Sequence, residues 1–180
     1  SQMQRESGKD PALLVQTGDA FGATGRNDKA MEAYRLALDA NKDYDPATRR
    51  LAEALLRDGK TKEAAEIADT MLKRRAGALD WVALKAATLL AENTTARAKE
   101  AADMLNAALQ GRAGGRQAAS ARLLLGNIYY RLGQVPAAET QFRKALSEDP
   151  TLTAARVSLA KALVMNRSYE EAAVVANEAI

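Results

Sequence analysis

The sequence predicts an all-α fold, a solenoid of about ten helices stacked as antiparallel pairs, and three observations carry that prediction. The first is a period. Gly18, Ala52, Ala86, Gly126 and Ala160 succeed one another at intervals of 34, 34, 40 and 34 residues, and three positions after each stands a large side chain, Phe21, Leu55, Leu89, Tyr129 and Leu163. A fixed period of this length marks supersecondary units that cannot bury their apolar faces alone and must stack. The second is composition. Of the 180 residues 47% are apolar but only 4% aromatic, with alanine dominant, which favours close helix packing over a β-sandwich built on bulky β-branched residues. The third is that apolar residues recur at three- and four-residue steps on both sides of a short turn in every unit.

The elements follow in order. Asp10-Pro11 and Asp45-Pro46 each place an N-capping carboxylate before a proline in a first helical turn, where the missing N–H costs nothing, and Pro136 opens the second helix of the fourth unit in the same way. Gly25, Gly59, Asn93 and Gly133 fall in one phase and end the first helices, since these residues enter the left-handed region cheaply; Arg167 breaks that series. Ala30, Ala64, Ala98, Ala138 and Ala172 come next, where a methyl fits between crossing helices. Tyr34, Ala68, Ala102, Phe142 and Ala176, and then Ala37, Met71, Leu105, Ala145 and Ala179, complete the frame. The chain therefore reads as an N-terminal tail over 1–10, three repeats over 11–110, a Gly/Arg loop over 111–118, and two repeats over 119–180.

The fourth unit, with Leu125-Gly126, Tyr129, Gly133, Ala138, Phe142, Ala145 and Asp149-Pro150, is similar in residue type and spacing to the tetratricopeptide repeat. The first unit departs from that pattern with Thr17 and Lys42, the second with Ala68, and the third keeps mainly the frame. The resemblance spans Pro11 to Ile180. It implies a right-handed superhelical solenoid of five repeats whose inner wall is formed by the first helix of each pair. It also implies a scaffold for protein or peptide partners, because this fold hosts many unrelated ones.

Two breaks interrupt the frame. Gly111-Arg112-Ala113-Gly114-Gly115-Arg116 accounts for the interval of 40 and reads as an extended, mobile loop. It is either a spacer or, through its two arginines, a contact for an anion; no P-loop spacing accompanies it. At the C-terminus the sequence stops inside a second helix, leaving Val174, Val175, Ala179 and Ile180 without the polar cap that closes a solenoid. That end belongs to a longer protein or docks on another molecule, including another copy of the chain. The start at Ser1 points to a removed leader or an excised piece.

The charge and residue inventory excludes several functions. The 26 basic and 23 acidic residues are interspersed, with no run of five like charges, so nucleic acid is not the expected partner. No stretch of eighteen apolar residues calls for direct membrane insertion. With no histidine and no cysteine, the chain lacks histidine-dependent triads, thiol nucleophiles and histidine-bearing zinc sites, and neither cofactor nor metal is expected. Glu63 and Glu66, like Glu170 and Glu171, read as solvated faces near helix starts. The expectation is a non-catalytic interaction scaffold; the resemblance, with the missing initiator methionine, implies a place in the bacterial periplasm or envelope in preference to the cytoplasm, within a secretion, pilus or exopolysaccharide-export assembly. A soluble chaperone for an export substrate and a self-associating module using the uncapped C-terminal helix stand as alternatives.

Repeat phase then nominates the partner-facing side chains. They are Val15 and Asp19 with Gly22 in the first unit, Arg49, Glu53 and Leu56 in the second, and Leu90 with Ala83 and Ala87 in the third. The fourth unit gives Leu123, Asn127, Tyr130 and Arg131, and the fifth Val157, Lys161 and Val164 with Met165. The family's clamp for a chaperone's terminal carboxylate does not fit, since Val15, Asp19, Glu53, Val157 and Lys161 occupy its places and only Asn127 conforms. Leu123, Tyr130, Val157 and Val164, bordered by Arg131 and Lys161, form an apolar strip suited to an extended or helical peptide with acidic character. Tyr130 and Leu123 can equally pack into the neighbouring repeat, and Trp81 either anchors a partner or fills a gap between repeats.

Overall fold

In the computed structural model, which describes residues 10–112 and 114–178, the chain is all helical and every helix is one half of an antiparallel pair. The pairs are α1 (Pro11–Ala23) with α2 (Asn27–Ala40), α3 (Asp45–Arg57) with α4 (Thr61–Arg74), α5 (Leu79–Ala91) with α6 (Thr95–Leu109), α7 (Arg116–Arg131) with α8 (Val135–Glu148), and α9 (Thr153–Met165) with α10 (Tyr169–Asn177). Among the described residues there is no strand. Two compact units divide the chain at residues 73 and 74, so that α1 to α4 make up the first and α5 to α10 the second. The tail at Ser1–Lys9, Ala113 of the glycine-rich segment, and Ala179 and Ile180 lie outside the described residues.

The recurring small residues sit where helices cross. Ala30, Ala64, Ala98, Ala138 and Ala172 are each the fourth residue of the second helix of a pair, and all five are buried. Gly18 lies against Tyr34: a Cβ there would come within 2.3 Å of the ring. Gly126 stands in the same relation to Phe142, with its imagined Cβ at 2.4 Å. In the second, third and fifth pairs the corresponding residues are alanine on both helices, Ala52 with Ala68, Ala86 with Ala102 and Ala160 with Ala176. A ring on one helix thus goes with a missing methyl on the other, which keeps interior packing dense without forcing the helices apart.

The turn inside each pair also repeats. Gly25, Gly59, Asn93, Gly133 and Arg167 all adopt a positive φ, from 53° at Asn93 to 79° at Gly59. Beyond four of them the next N–H closes back on the large residue of the first helix: Arg26 donates to the Phe21 carbonyl, Lys60 to Leu55, Gln134 to Tyr129 and Ser168 to Leu163. This is the Schellman arrangement, and it holds at Arg167, with φ 61°, although arginine has a Cβ penalty of about 1 kcal/mol there. The break that sequence predicts at Arg167 is therefore one of residue type, not of backbone.

Helix starts agree with expectation at Asp10, whose carboxylate accepts from the Ala12 N–H at 2.9 Å. At the second pair the expectation needs correction. Asp45 is itself the first residue of α3 and Tyr44 takes the cap position, so Pro46 still falls in the first turn but Asp45 is not the cap. Pro136 likewise falls in the first turn of α8, behind Gln134.

Within the first unit, Val15, Met31, Tyr34, Leu51 and Leu55 form one core, joined by Ala64 of α4. In the second unit Phe142, Leu159, Leu163 and Ala172 hold the last two pairs together. The Arg122 guanidinium, on α7, donates to Glu148, on α8, at 2.7 Å with both side chains largely covered. The two arginines of the glycine-rich segment are turned onto neighbours, Arg112 donating to the Gly77 carbonyl and Arg116 lying 3.7 Å from Asp149.

Candidate partner-binding surface

The residues that repeat phase nominates do not share one environment. In the first unit Val15 is buried in the core and Leu56 packs half-buried against it. The polar nominees form an internal network. Asp19 accepts from the Tyr34 hydroxyl at 2.8 Å and lies 3.0 Å from the Arg50 guanidinium, which also donates to Glu53 at 3.1 Å. Arg49 reaches Glu53 from the other side at 3.7 Å. Burial, reinforced by the Asp19 carboxylate, pushes the Tyr34 phenol up to about 12. Arg50, which repeat phase did not single out, is the hub of this group; its place one residue after Arg49 and three before Glu53 is the only sequence signal for it.

In the second unit, Leu90 is half-buried near the end of α5. Trp81 is fully buried, a packing residue and not an exposed anchor. Leu123 is half-buried against the cores of the last two pairs. Asn127 accepts from the Ser158 hydroxyl at 3.2 Å, and Arg131 donates to the Asn93 side chain at 2.7 Å.

Five nominees come together around one hollow. Tyr130, Val157, Lys161, Val164 and Met165 line a depression of about 750 Å³ whose remaining wall is Ala160, Tyr169, Ala172, Ala173 and Ala176. A smaller pocket of about 270 Å³ adjoins it, lined by Asn127, Arg131, Ser158 and Phe142 and sharing Tyr130 and Lys161. The wall is almost wholly apolar, with Lys161 as its cation, so it suits an apolar segment with an acidic or carbonyl neighbour. Two features of it escape sequence reasoning. The hollow is wide because Ala160 and Ala176 are both small, and Tyr169, at the start of α10, is exposed on its rim. Neither residue type marks a site by itself. Among the described residues no cluster of acidic side chains could hold a metal ion, and no helix is long and apolar enough to cross a membrane.

Models of the tetratricopeptide repeat match residues 23–88 and 94–153. The chain belongs to the tetratricopeptide-repeat family. Membership makes it a scaffold for protein–protein interaction. Among solved structures, the thermophilic tetratricopeptide protein TTC0263 of Thermus thermophilus matches with TM-score 0.80 and 23% identity over 94% of this chain and 89% of that one. The pilF protein of Pseudomonas aeruginosa matches with TM-score 0.75 and 19% identity over 97% and 76%. YrrB, a tetratricopeptide protein with an unusual peptide-binding site, matches with TM-score 0.57 and 17% identity over 99% and 89%. At these identities the likeness is one of fold. Among curated proteins, none matches the sequence.

Proposed function

We propose that this tetratricopeptide chain is a non-catalytic scaffold that grips a protein or peptide partner on the first helices of its pairs, with the hollow at α9 and α10 as the main anchor. One observation carries the reading: Tyr130, Val157, Lys161 and Val164, picked out by repeat phase on the helices that the family resemblance assigns to the inner wall, line a single apolar depression with a cation in its wall. Tyrosine in a concavity is among the residue types that most often dominate interface energies. The peptide-binding site of YrrB agrees with the proposal. Leu90, Leu123, Asn127 and Arg131 of the same unit would contribute orientation and rim contacts, and Asp19, Arg49, Glu53 and Leu56 would offer a separate contact surface on the first unit.

The proposed setting is a bacterial secretion, pilus or exopolysaccharide-export assembly at the periplasm or envelope, with which the fold-level likeness to pilF is in keeping. Selection of linear peptides from a display library on the immobilised chain tests the binding site. Enriched peptides should pair apolar anchors with an acidic residue and bind the Tyr130→Ala, Lys161→Glu double variant at least about tenfold more weakly. Equal binding to that variant, or no enrichment at all, would remove the hollow as the anchor.

A further inference from the structure

Gly18 and Gly22 stand one turn apart on α1, and packing explains only the first. A Cβ at Gly18 would strike the Tyr34 ring, whereas one at Gly22 would meet ordinary neighbours, the Arg57 guanidinium at 3.8 Å and the Ala30 methyl and Tyr34 hydroxyl at 3.9 Å. Nor does the backbone call for glycine there, since Gly22 lies inside the helix and has no positive φ. In the same phase the other first helices carry Leu56, Leu90, Tyr130 and Val164, all large. The missing side chain leaves a half-buried niche on α1 beside Arg57 and Tyr34. Glycine weakens a helix relative to alanine, so one that its own fold does not require marks a place where another group approaches the backbone closely.

The wall of that niche holds a guanidinium without an acceptor. Arg57 and Arg131 share one phase, each as the last residue of its helix. Arg131 donates at 2.7 Å to the side chain of Asn93, which stands at the turn of the preceding pair. For Arg57 the residue at that turn is Gly25, which has no side chain to accept. Among the described residues no carboxylate pairs with Arg57. Glu53, one turn before it, is engaged by Arg49 and Arg50, Asp19 by Arg50 and the Tyr34 hydroxyl, and Asp58 by Lys60. Arg49, Arg50 and Arg57 thus stand against Asp19 and Glu53, and Arg57 is the cation left over.

We propose that the niche at Gly22 receives the carboxylate of an aspartate or glutamate side chain of a protein partner, held by the Arg57 guanidinium against the bare backbone of α1. The inference rests on the scaffold reading but not on the hollow, which belongs to the other compact unit. A planar guanidinium takes a carboxylate through two parallel N–H bonds. Asp19, three residues before Gly22, and Glu53, four before Arg57, oppose a second negative charge, so a carboxylate fits here and a doubly charged phosphate does not. Arg26 and Lys29, each 5.8 Å from the centre of the Phe21 ring, extend the positive charge around the neighbouring turn and favour the approach of an acidic partner.

Peptide display on the chain carrying Tyr130→Ala and Lys161→Glu, which disables the hollow, tests the niche alone. Enriched peptides should share an aspartate or glutamate, and exchanging it for asparagine or glutamine should weaken binding at least about tenfold. Adding Gly22→Leu gives α1 the residue that Leu56 and Leu90 supply in phase; it should fill the niche and weaken binding by as much. Arg57→Met should do the same, and Arg57→Lys should recover little, because an ammonium cannot present two parallel donors. Thermal midpoints no lower than the parent's would show that the variants fold. Should Gly22→Leu melt early, Arg57→Met and the exchange within the peptide carry the test by themselves. No enrichment, enrichment without an acidic residue, or peptides that a folded variant, Gly22→Leu or Arg57→Met, binds as the parent does overturns the proposal. The two readings fail separately, since peptides selected on the unaltered chain and lost with Tyr130→Ala and Lys161→Glu report on the hollow and leave the niche untouched.

Discussion

At the scale of single residues, the frame is held by pairs whose sizes compensate. Gly126 admits the Phe142 ring, and a methyl there would meet Cε1 at 2.4 Å. Gly126→Ala should therefore destabilise by about 1–3 kcal/mol through overpacking, and Phe142→Ala by about 3–5 kcal/mol through the void it leaves. Together they recreate the alanine pair found at Ala52 and Ala68, so the double variant should lose clearly less than the sum, as urea unfolding of the four proteins would register. Strict additivity would show that the two sites do not touch in solution. Tyr34 adds a pH dependence. Its phenol is held at about 12 against an ordinary 10.0 by burial and by the Asp19 hydrogen bond. Below pH 10 both folded and unfolded states keep the proton and the contribution is complete; above it the unfolded chain ionises first, so stability falls as pH rises towards 12. Tyr34→Phe should flatten that fall, and an unchanged slope between the two proteins would contradict the assignment. The small residues and rings were legible in the sequence because they recur. The Asp19, Arg50 and Glu53 network was not, because it depends on which side chains two successive pairs bring together.

At the scale of the element, most of each helix pair can be read from its punctuation, and the exceptions have physical reasons. Asp10 caps α1 as an Asp-Pro pair should, yet Asp45 in the same dipeptide enters α3 and leaves the cap to Tyr44. Pro46 fixes only that the first turn lies nearby, not which residue precedes it. Arg167 shows the opposite case. Its side chain argues against the left-handed turn, but the Ser168 bond to the Leu163 carbonyl and the buried Ala172 beyond fix the backbone there regardless. Relieving the Cβ strain with Arg167→Gly should raise stability by about 0.5–1 kcal/mol, because the gain in the folded turn exceeds the added freedom of the unfolded chain. The thermal midpoint is the measurement; a lower midpoint would show that the arginine makes a compensating contact. A parallel Gly133→Arg change should lower it, since the same turn there relies on glycine at φ 74°.

At the scale of the whole molecule, each compact unit shares its stability unevenly among its helices, and the share follows burial. Within the second unit α5 buries seven residues, among them Trp81, Leu84 and Leu89, whereas α10 buries Ala172 alone. Amide exchange under native conditions should therefore be slowest in α5 and α7 and fastest in α10, with α9 between them because Leu159, Ala162 and Leu163 tie it to the fourth pair. Uniform protection through α10 in dilute monomer would mean that the second unit opens only as one block. Sequence patterning could not rank the pairs in this way, since the same apolar residues in phase are buried when a neighbour covers them and exposed when none does.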